Sequence, residues 1–284
     1  MIKQLPHPKS WLLKQGLKPK KSFSQNFLID DAYLLDISYA VADFCESDTL
    51  VIEYAAGMGA LTHSLLNQNL KVHAIEIDRD LIPYLTKYFA TNILNQNLFV
   101  HRADVKKFDL LSLYKHNNSI VLCGNLPYHL SSSLIELTIM HYSKIKGAVF
   151  LLQKELVNRL IASPDCKSYG VLSVLFQVRF SLRKIFDVPR TAFWPIPNID
   201  SSVIVLSTKK IENNFDIDWL LFKSIVKTAF LKRRKIVRNS LSFFSGIEII
   251  LNQLGLDHNL RAENLTVKNF IDISKKLFIE KNHA

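Results

Sequence analysis

Between residue 31 and about residue 208 the chain alternates short apolar runs with amphipathic stretches, and this alternation limits the possible folds more than any other feature. Apolar runs bounded by turn residues read as buried strands and the stretches between them as helices, the pattern of an α/β protein with a mostly parallel sheet. Seven strands are expected: Thr49–Tyr54, Lys71–Asp78, Leu98–Arg102, Ser119–Cys123, Gly147–Leu152, a segment around Arg179–Phe186, and Ser201–Ser207. Helices are expected at Asp31–Ala42, Leu61–Leu66, Leu81–Tyr88, Ser131–His141 and Glu155–Ile161. After Ile211 the period changes. Asp216–Phe230, Arg233–Phe244, Ile247–Leu254 and Val267–Phe278 all read at helical spacing, with Gly246 and Gly255 as breaks. The expectation is a basic N-terminal segment over 1–30, an α/β domain over 31–210 and a small all-helical domain over 211–284.

The net charge of +11 is concentrated rather than spread. Residues 1–29 hold six lysines and no acid, and residues 223–238 hold seven bases and no acid. The rest of the chain is close to neutral, so a polyanionic partner would be met by two local segments. Three cysteines, Cys45, Cys123 and Cys166, fit neither a disulfide framework nor a zinc site. No metal is expected. The N-terminus lacks the apolar core of a secretory signal, and no stretch approaches about 18 consecutive apolar residues, so a cytoplasmic protein without a membrane segment is expected.

The first strand ends Val51-Ile52-Glu53-Tyr54 and runs into Ala55-Ala56-Gly57-Met58-Gly59-Ala60-Leu61-Thr62, a small-residue turn that opens a helix. Such a turn lets backbone approach a ligand and points helix N–H groups at it. Two of only eight glycines fall here. Glu76 ends the second strand about twenty residues later, where a Rossmann-like site holds a ribose through both hydroxyls. Asp104, after the third strand, suits an adenine amino group or a helix N-cap. To this point a nicotinamide enzyme and an S-adenosylmethionine enzyme read alike.

Asn125-Leu126-Pro127-Tyr128, after Gly124 on the fourth strand, separates them. Asn supplies a carbonyl acceptor, Pro a fixed φ without an N–H, and Tyr a flat ring for stacking. That set suits an amino group on a planar ring. An exocyclic base amine is a poor nucleophile because its lone pair is delocalised. Accepting both of its hydrogens favours a pyramidal nitrogen whose lone pair can meet an electrophilic methyl. Positioning and electrostatics then carry the catalysis, with no metal required.

In order along the chain, Lys20 to Leu28, Glu53 to Thr62, Glu76-Ile77-Asp78, Asp104, Gly124 to Tyr128, Gln153 to Arg159, Tyr169 to Ser173, Val188-Pro189 and Asp200-Ser201-Ser202 resemble one family. Thr228-Ala229-Phe230 and Arg233-Arg234-Lys235 to Asn239-Ser240-Leu241 extend the likeness to nearly the whole chain. The family is the bacterial small-subunit rRNA adenine dimethyltransferase, of the kasugamycin-resistance type. The resemblance implies a class I methyltransferase domain and a helical tail. It also implies N6 dimethylation, by S-adenosylmethionine, of two adjacent adenines in the 3′-terminal hairpin of 16S rRNA during small-subunit biogenesis. By position, Asn26, Leu28, Ala55, Gly57, Glu76, Asp104 and Asn125 would contact the cofactor. Asn125, Leu126, Pro127 and Tyr128 would hold the target base, with Phe193 as a second stacking aromatic. Lys227, Lys232, Arg233, Arg234, Lys235 and Arg238 would meet rRNA phosphates on the immature subunit. The lysines before residue 22 would form a flexible arm that orders on RNA, and a monomer is expected.

Two positions depart from the family pattern: Ala55 and Ser24 stand where glycine is usual. An extra methyl at Ala55 would crowd the cofactor if the turn needs φ > 0 there. Related 23S rRNA adenine methyltransferases share the turn and the Asn-to-Tyr site, but the Gln153 and Tyr169 stretches and the helical tail favour the small-subunit enzyme. A binding-only assembly factor would be expected to have lost several site residues, and an NAD oxidoreductase would need a hydride-transfer acid or base that is not evident.

Overall fold

A computed structural model describes residues 5–113, 119–127, 131–209 and 217–283. Among the described residues nine strands are present: β1 (Phe27–Leu28), β2 (Leu50–Tyr54), β3 (Val72–Glu76), β4 (Leu98–Arg102), β5 (Ile120–Asn125), β6 (Ile145–Gln153), β7 (Phe180–Val188), β8 (Phe193–Trp194) and β9 (Ser201–Thr208). Seven form one sheet in the order β4-β3-β2-β5-β6-β9-β7. The β3/β4, β2/β3, β2/β5 and β5/β6 pairs are parallel and β9 runs antiparallel to β6. The expected mostly parallel seven-stranded sheet is thus present. β2, β3 and β5 are buried at nearly every residue, which is why they read as mostly apolar runs rather than alternating ones.

Helices α1 (Pro8–Lys14), α2 (Asp31–Ala42), α3 (Ala60–Asn67), α4 (Ile82–Tyr88), α5 (Ala90–Leu94) and α6 (Ser131–Met140) accompany this sheet. Asp30 caps α2 by accepting from the Ala32 amide at 3.0 Å. The core joins Ile37 and Val41 of α2, Leu61 and Leu65 of α3, and Val51, Val72 and Val121 of the strands. The N-terminal segment is not a free arm from residue 5 onward. Pro8 opens α1, Leu12 is buried, and the Trp11 ring lies 4.7 Å from that of Tyr84. β1 then pairs antiparallel with β8, Phe27 opposite Trp194 and Leu28 opposite Phe193.

Two compact units emerge: one through Val157 together with Arg183–Thr208, the other Asn158–Leu182 together with the chain from Lys209 onward. The second unit is built from α7 (Lys154–Leu160), of which it takes the end, α8 (Val171–Gln177), α9 (Trp219–Leu231), α10 (Val237–Ser240), α11 (Ile247–Gln253) and α12 (Val267–His283). The boundary differs from that expected, because Asn158–Leu182 packs with the C-terminal helices. Tyr169 is fully buried there, donates its hydroxyl to the Leu265 carbonyl at 2.9 Å, and meets Phe230 edge-on. The Ser173 hydroxyl and the Gln177 amide hold the carbonyls of Arg159, Leu160 and Ala162. The Tyr169–Ser173 stretch is therefore explained by packing. The expected helix Arg233–Phe244 is reduced to the four residues of α10, since residues 232–236 form a turn.

Candidate active site

The strand order reverses about β2, and a cleft opens at the carboxyl ends of β2 to β5, where ligands bind in sheets of this kind. β2 leads into a turn in which Ala55, Gly57 and Gly59 have φ of 56°, 59° and 77°. The glycines adopt this conformation without penalty, whereas Ala55 carries a Cβ into the left-handed region. Ser24, the other departure from the family pattern, likewise sits at φ 49°. Both substitutions thus fall where glycine would be unstrained. On β5 the need for glycine is steric: a Cβ on Gly124, at φ 154°, would lie 2.4 Å from the Tyr54 carbonyl oxygen.

Glu76 is buried at the end of β3. Its Oε2 accepts from the Gly57 amide and its Oε1 from the Asp78 amide, both at 2.7 Å. The Ile77 amide adds a third backbone donor, and the lone pair left over can take a ligand hydroxyl. Burial raises its pKa, against the pull of those backbone donors. Asp104 serves as an N-cap, its Oδ1 accepting from Lys106 N at 3.0 Å, and also lines the cleft. The N-cap reading of this residue therefore holds, and its place on the cleft wall is compatible with the other. Asn125 donates through Nδ2 to the Asn26 carbonyl at 3.1 Å, which leaves Oδ1 as the acceptor.

The segment carrying Asn26 and Leu28 crosses this end of the sheet as a strap. Asn26 Nδ2 holds the Ser24 carbonyl at 3.1 Å, Gln25 Nε2 donates to Asp78 at 2.7 Å, and Lys20 pairs with Asp78 and, at 2.6 Å, with Asp80. Asp78 is buried, so these donors compensate a charge withdrawn from water. Asn26, Leu28, Ala55, Gly57, Glu76, Asp104 and Asn125 all line one cleft, together with Leu126 and Pro127. Tyr128 lies outside the described residues. Phe193 does not join them. It is 2% exposed, because the pairing of β8 with β1 turns its ring into the core beside Leu28, Val188 and Ala192.

Glu53, to which the sequence motifs assign no role, is 2% exposed and also lines the cleft. Its signal was an acid inside an otherwise apolar strand. Burial, with Glu76 nearby, pushes its pKa up to about 8, although a hydrogen bond from the Thr62 hydroxyl pulls the other way.

The basic residues belong to the second unit. Lys227 is exposed on α9, and Lys232, Arg234 and Lys235 are exposed in the turn after it. None of these four has an ion-pair partner among the described residues. Arg233 differs: it pairs with Glu263 at 2.7 Å and donates to the Lys167 carbonyl at 3.1 Å. Arg238 lies 3.7 Å from Glu248.

The chain matches the family model described as ribosomal RNA adenine dimethylase over residues 16–278. A curated relative from Thiobacillus denitrificans, named ribosomal RNA small subunit methyltransferase A, is 38% identical over 259 residues, covering 91% of this chain and 98% of its own length. One of the same name from Francisella tularensis subsp. novicida is 38% identical over 269 residues, covering 92% and 98%. Among solved structures, a dimethyladenosine transferase from Plasmodium falciparum has a TM-score of 0.75 at 24% identity, covering 90% of this chain and 98% of its own. That likeness bears on the fold alone.

Proposed function

Because this chain belongs to the ribosomal RNA adenine dimethylase family, we propose a specific division of labour within its cleft. The enzyme is an S-adenosylmethionine-dependent rRNA adenine N6-dimethyltransferase of the small-subunit type. When bound, the cofactor supplies an electrophilic methyl on a sulfonium. The cleft fits such a ligand: a buried carboxylate with acceptor capacity left for a ribose hydroxyl, an acid for an amino group, and apolar walls from Ile77, Val105 and Leu126.

In our reading Glu76 holds the ribose and Asp104 the adenine amino group of the cofactor. Ala55, Gly57, Asn26 and Leu28 line its path. Asn125 Oδ1 accepts one hydrogen of the target amine, and its orientation is fixed by the bond from Nδ2 to Asn26. Pro127 and Tyr128 hold the flipped base. Phe193 is no part of this sandwich, since its ring is in the core. Phosphate contacts fall to Lys227, Lys232, Arg234, Lys235 and Arg238, with Arg233 partly committed to Glu263. We further propose that the substrate is the 3′-terminal hairpin of 16S rRNA in the immature subunit, and that the enzyme acts as a cytoplasmic monomer.

The observation that carries this reading is the convergence of Glu76, Asp104 and Asn125, from the ends of β3, β4 and β5, on one strapped cleft. The test is transfer of labelled methyl from S-adenosylmethionine to immature small subunits, with the modified nucleotides mapped. Incorporation at N6 of adenines in the 3′-terminal hairpin is expected, reduced at least 100-fold in Asn125→Ala. Label confined to other nucleotides would refute the substrate assignment.

A further inference from the structure

β2 separates β3, which ends in Glu76, from β5, which ends in Asn125. Glu53 on β2 is in register with Ala74 on β3 and with Cys123 on β5. Register partners in a parallel sheet share a face, as do residues two apart on one strand. Glu53, Glu76 and Asn125 therefore lie on the same face, with Glu53 one pleat deeper and between the other two. A ligand held at Glu76 and reacting at Asn125 has to cross above Glu53.

The groups facing Glu53 are the Thr62 hydroxyl on α3, the Glu76 carboxyl on β3 and the Cys123 thiol on β5. None is a cation, and Glu53 has no ion pair among the described residues. A buried carboxyl in such surroundings favours its neutral form. A cation brought to within about 4–6 Å would reverse that preference. This inference rests on the cofactor reading above.

We propose that Glu53 makes cofactor binding proton-linked: its carboxyl keeps its proton in the empty cleft or beside S-adenosylhomocysteine, and releases it to solvent when the sulfonium of S-adenosylmethionine is bound. Binding breaks the O–H bond and leaves a carboxylate against the sulfonium charge. Once the methyl has left, the sulfur is an uncharged thioether, and Glu53 recovers a proton from solvent. The cleft thereby favours substrate over product by a charge difference of one, without a contact to the methyl group. An enzyme that must exchange its spent cofactor between successive transfers gains most from such a bias.

The test is calorimetry on the full chain at pH 7, titrating each ligand in two buffers of different ionisation enthalpy. Both ligands carry the same α-ammonium, so the difference in protons released isolates the sulfonium effect. With Glu53 starting near 8 and a lowering of about 1–3 pH units by a nearby cation, S-adenosylmethionine should release about 0.4–0.9 proton more than S-adenosylhomocysteine. The ratio of their affinities should rise by up to about tenfold per pH unit between pH 6 and 8. Glu53→Gln should erase both differences. Equal proton release by the two ligands in the wild-type chain would overturn the inference, whatever the variant does. Failure of S-adenosylmethionine to bind at all would remove the cofactor reading and this inference together.

Discussion

Replacing Ala55 by glycine should make the protein more stable, although it deletes a methyl group. Ala55 sits at φ 56°, a conformation that costs an L-residue about 1–2 kcal/mol. Glycine removes that cost but adds freedom to the unfolded chain, which returns about 0.4–1 kcal/mol. The net gain is about 0–1.6 kcal/mol, centred near 0.8. In a unit of this size each kcal/mol moves the Tm by roughly 2–4 °C, so a rise of about 2–3 °C is expected. Chemical denaturation followed by tryptophan fluorescence is the assay, since Trp11 and Trp194 both belong to the sheet unit. Ala55→Val is the opposing control, because a β-branched residue is a clear outlier at positive φ. Calorimetry should also find several-fold tighter S-adenosylmethionine binding to Ala55→Gly, because Ala55 lines the cleft. A midpoint lowered in Ala55→Gly would refute the strain argument, and unchanged affinity would refute crowding of the cofactor.

Lys20→Met should loosen the strap, leaving buried Asp78 with only its neutral donors; faster hydrogen exchange at residues 20–28 and several-fold weaker cofactor binding are expected, and protection equal to wild type would count against the latch. Neutralising Lys227, Arg234 and Lys235 together should weaken rRNA binding and lower its salt slope by about 2–3 units while leaving cofactor affinity intact; an unchanged slope would exclude this surface from phosphate contact. His73, whose Nδ1 lies 3.0 Å from His101 Nε2, is pushed down to about 4 by burial, with His101 and Lys71 adding to the effect. The folded chain then binds fewer protons than the unfolded one, so stability should fall as pH drops from about 6.5 towards 4, by up to about 1.4 kcal/mol per pH unit. A wild-type slope no steeper than that of His73→Gln would show that this pair is not the cause.

Strand periodicity was the most legible part of the fold, because β2, β3 and β5 are buried on both faces and punctuated by turns. β1 and β8 were not legible. Each is two residues long, and they exist only because they pair with each other. The Arg233–Phe244 helix failed for a related reason: apolar spacing persists through the turn at 232–236, but Arg233 is drawn out to Glu263 and the Lys167 carbonyl. At the site, the common position of Glu76, Asp104 and Asn125 is legible because all three stand at carboxyl ends of neighbouring strands. Phe193 was misread because a Phe-Trp-Pro run signals an aromatic but not which way it faces. Glu53 has no signal in the spacing, which does not reveal that a carboxyl inside a strand lines a cleft.

The strap has a temporal consequence. Every acceptor in the cleft has been synthesised by residue 125, yet β1 is pinned only through residues 193 and 194, about 165 positions after its own. At about 5–20 residues per second, the ribosome needs roughly 8–33 s to cover that interval. For the last part of it, the roughly 3–14 s between residue 125 and residue 193, the nascent chain carries the turn, Glu76, Asp104 and Asn125 without the pairing that seats Asn26 against them. Cofactor affinity should therefore arrive late in synthesis, as a property of the nearly finished chain, although every cleft acceptor is encoded in its first half.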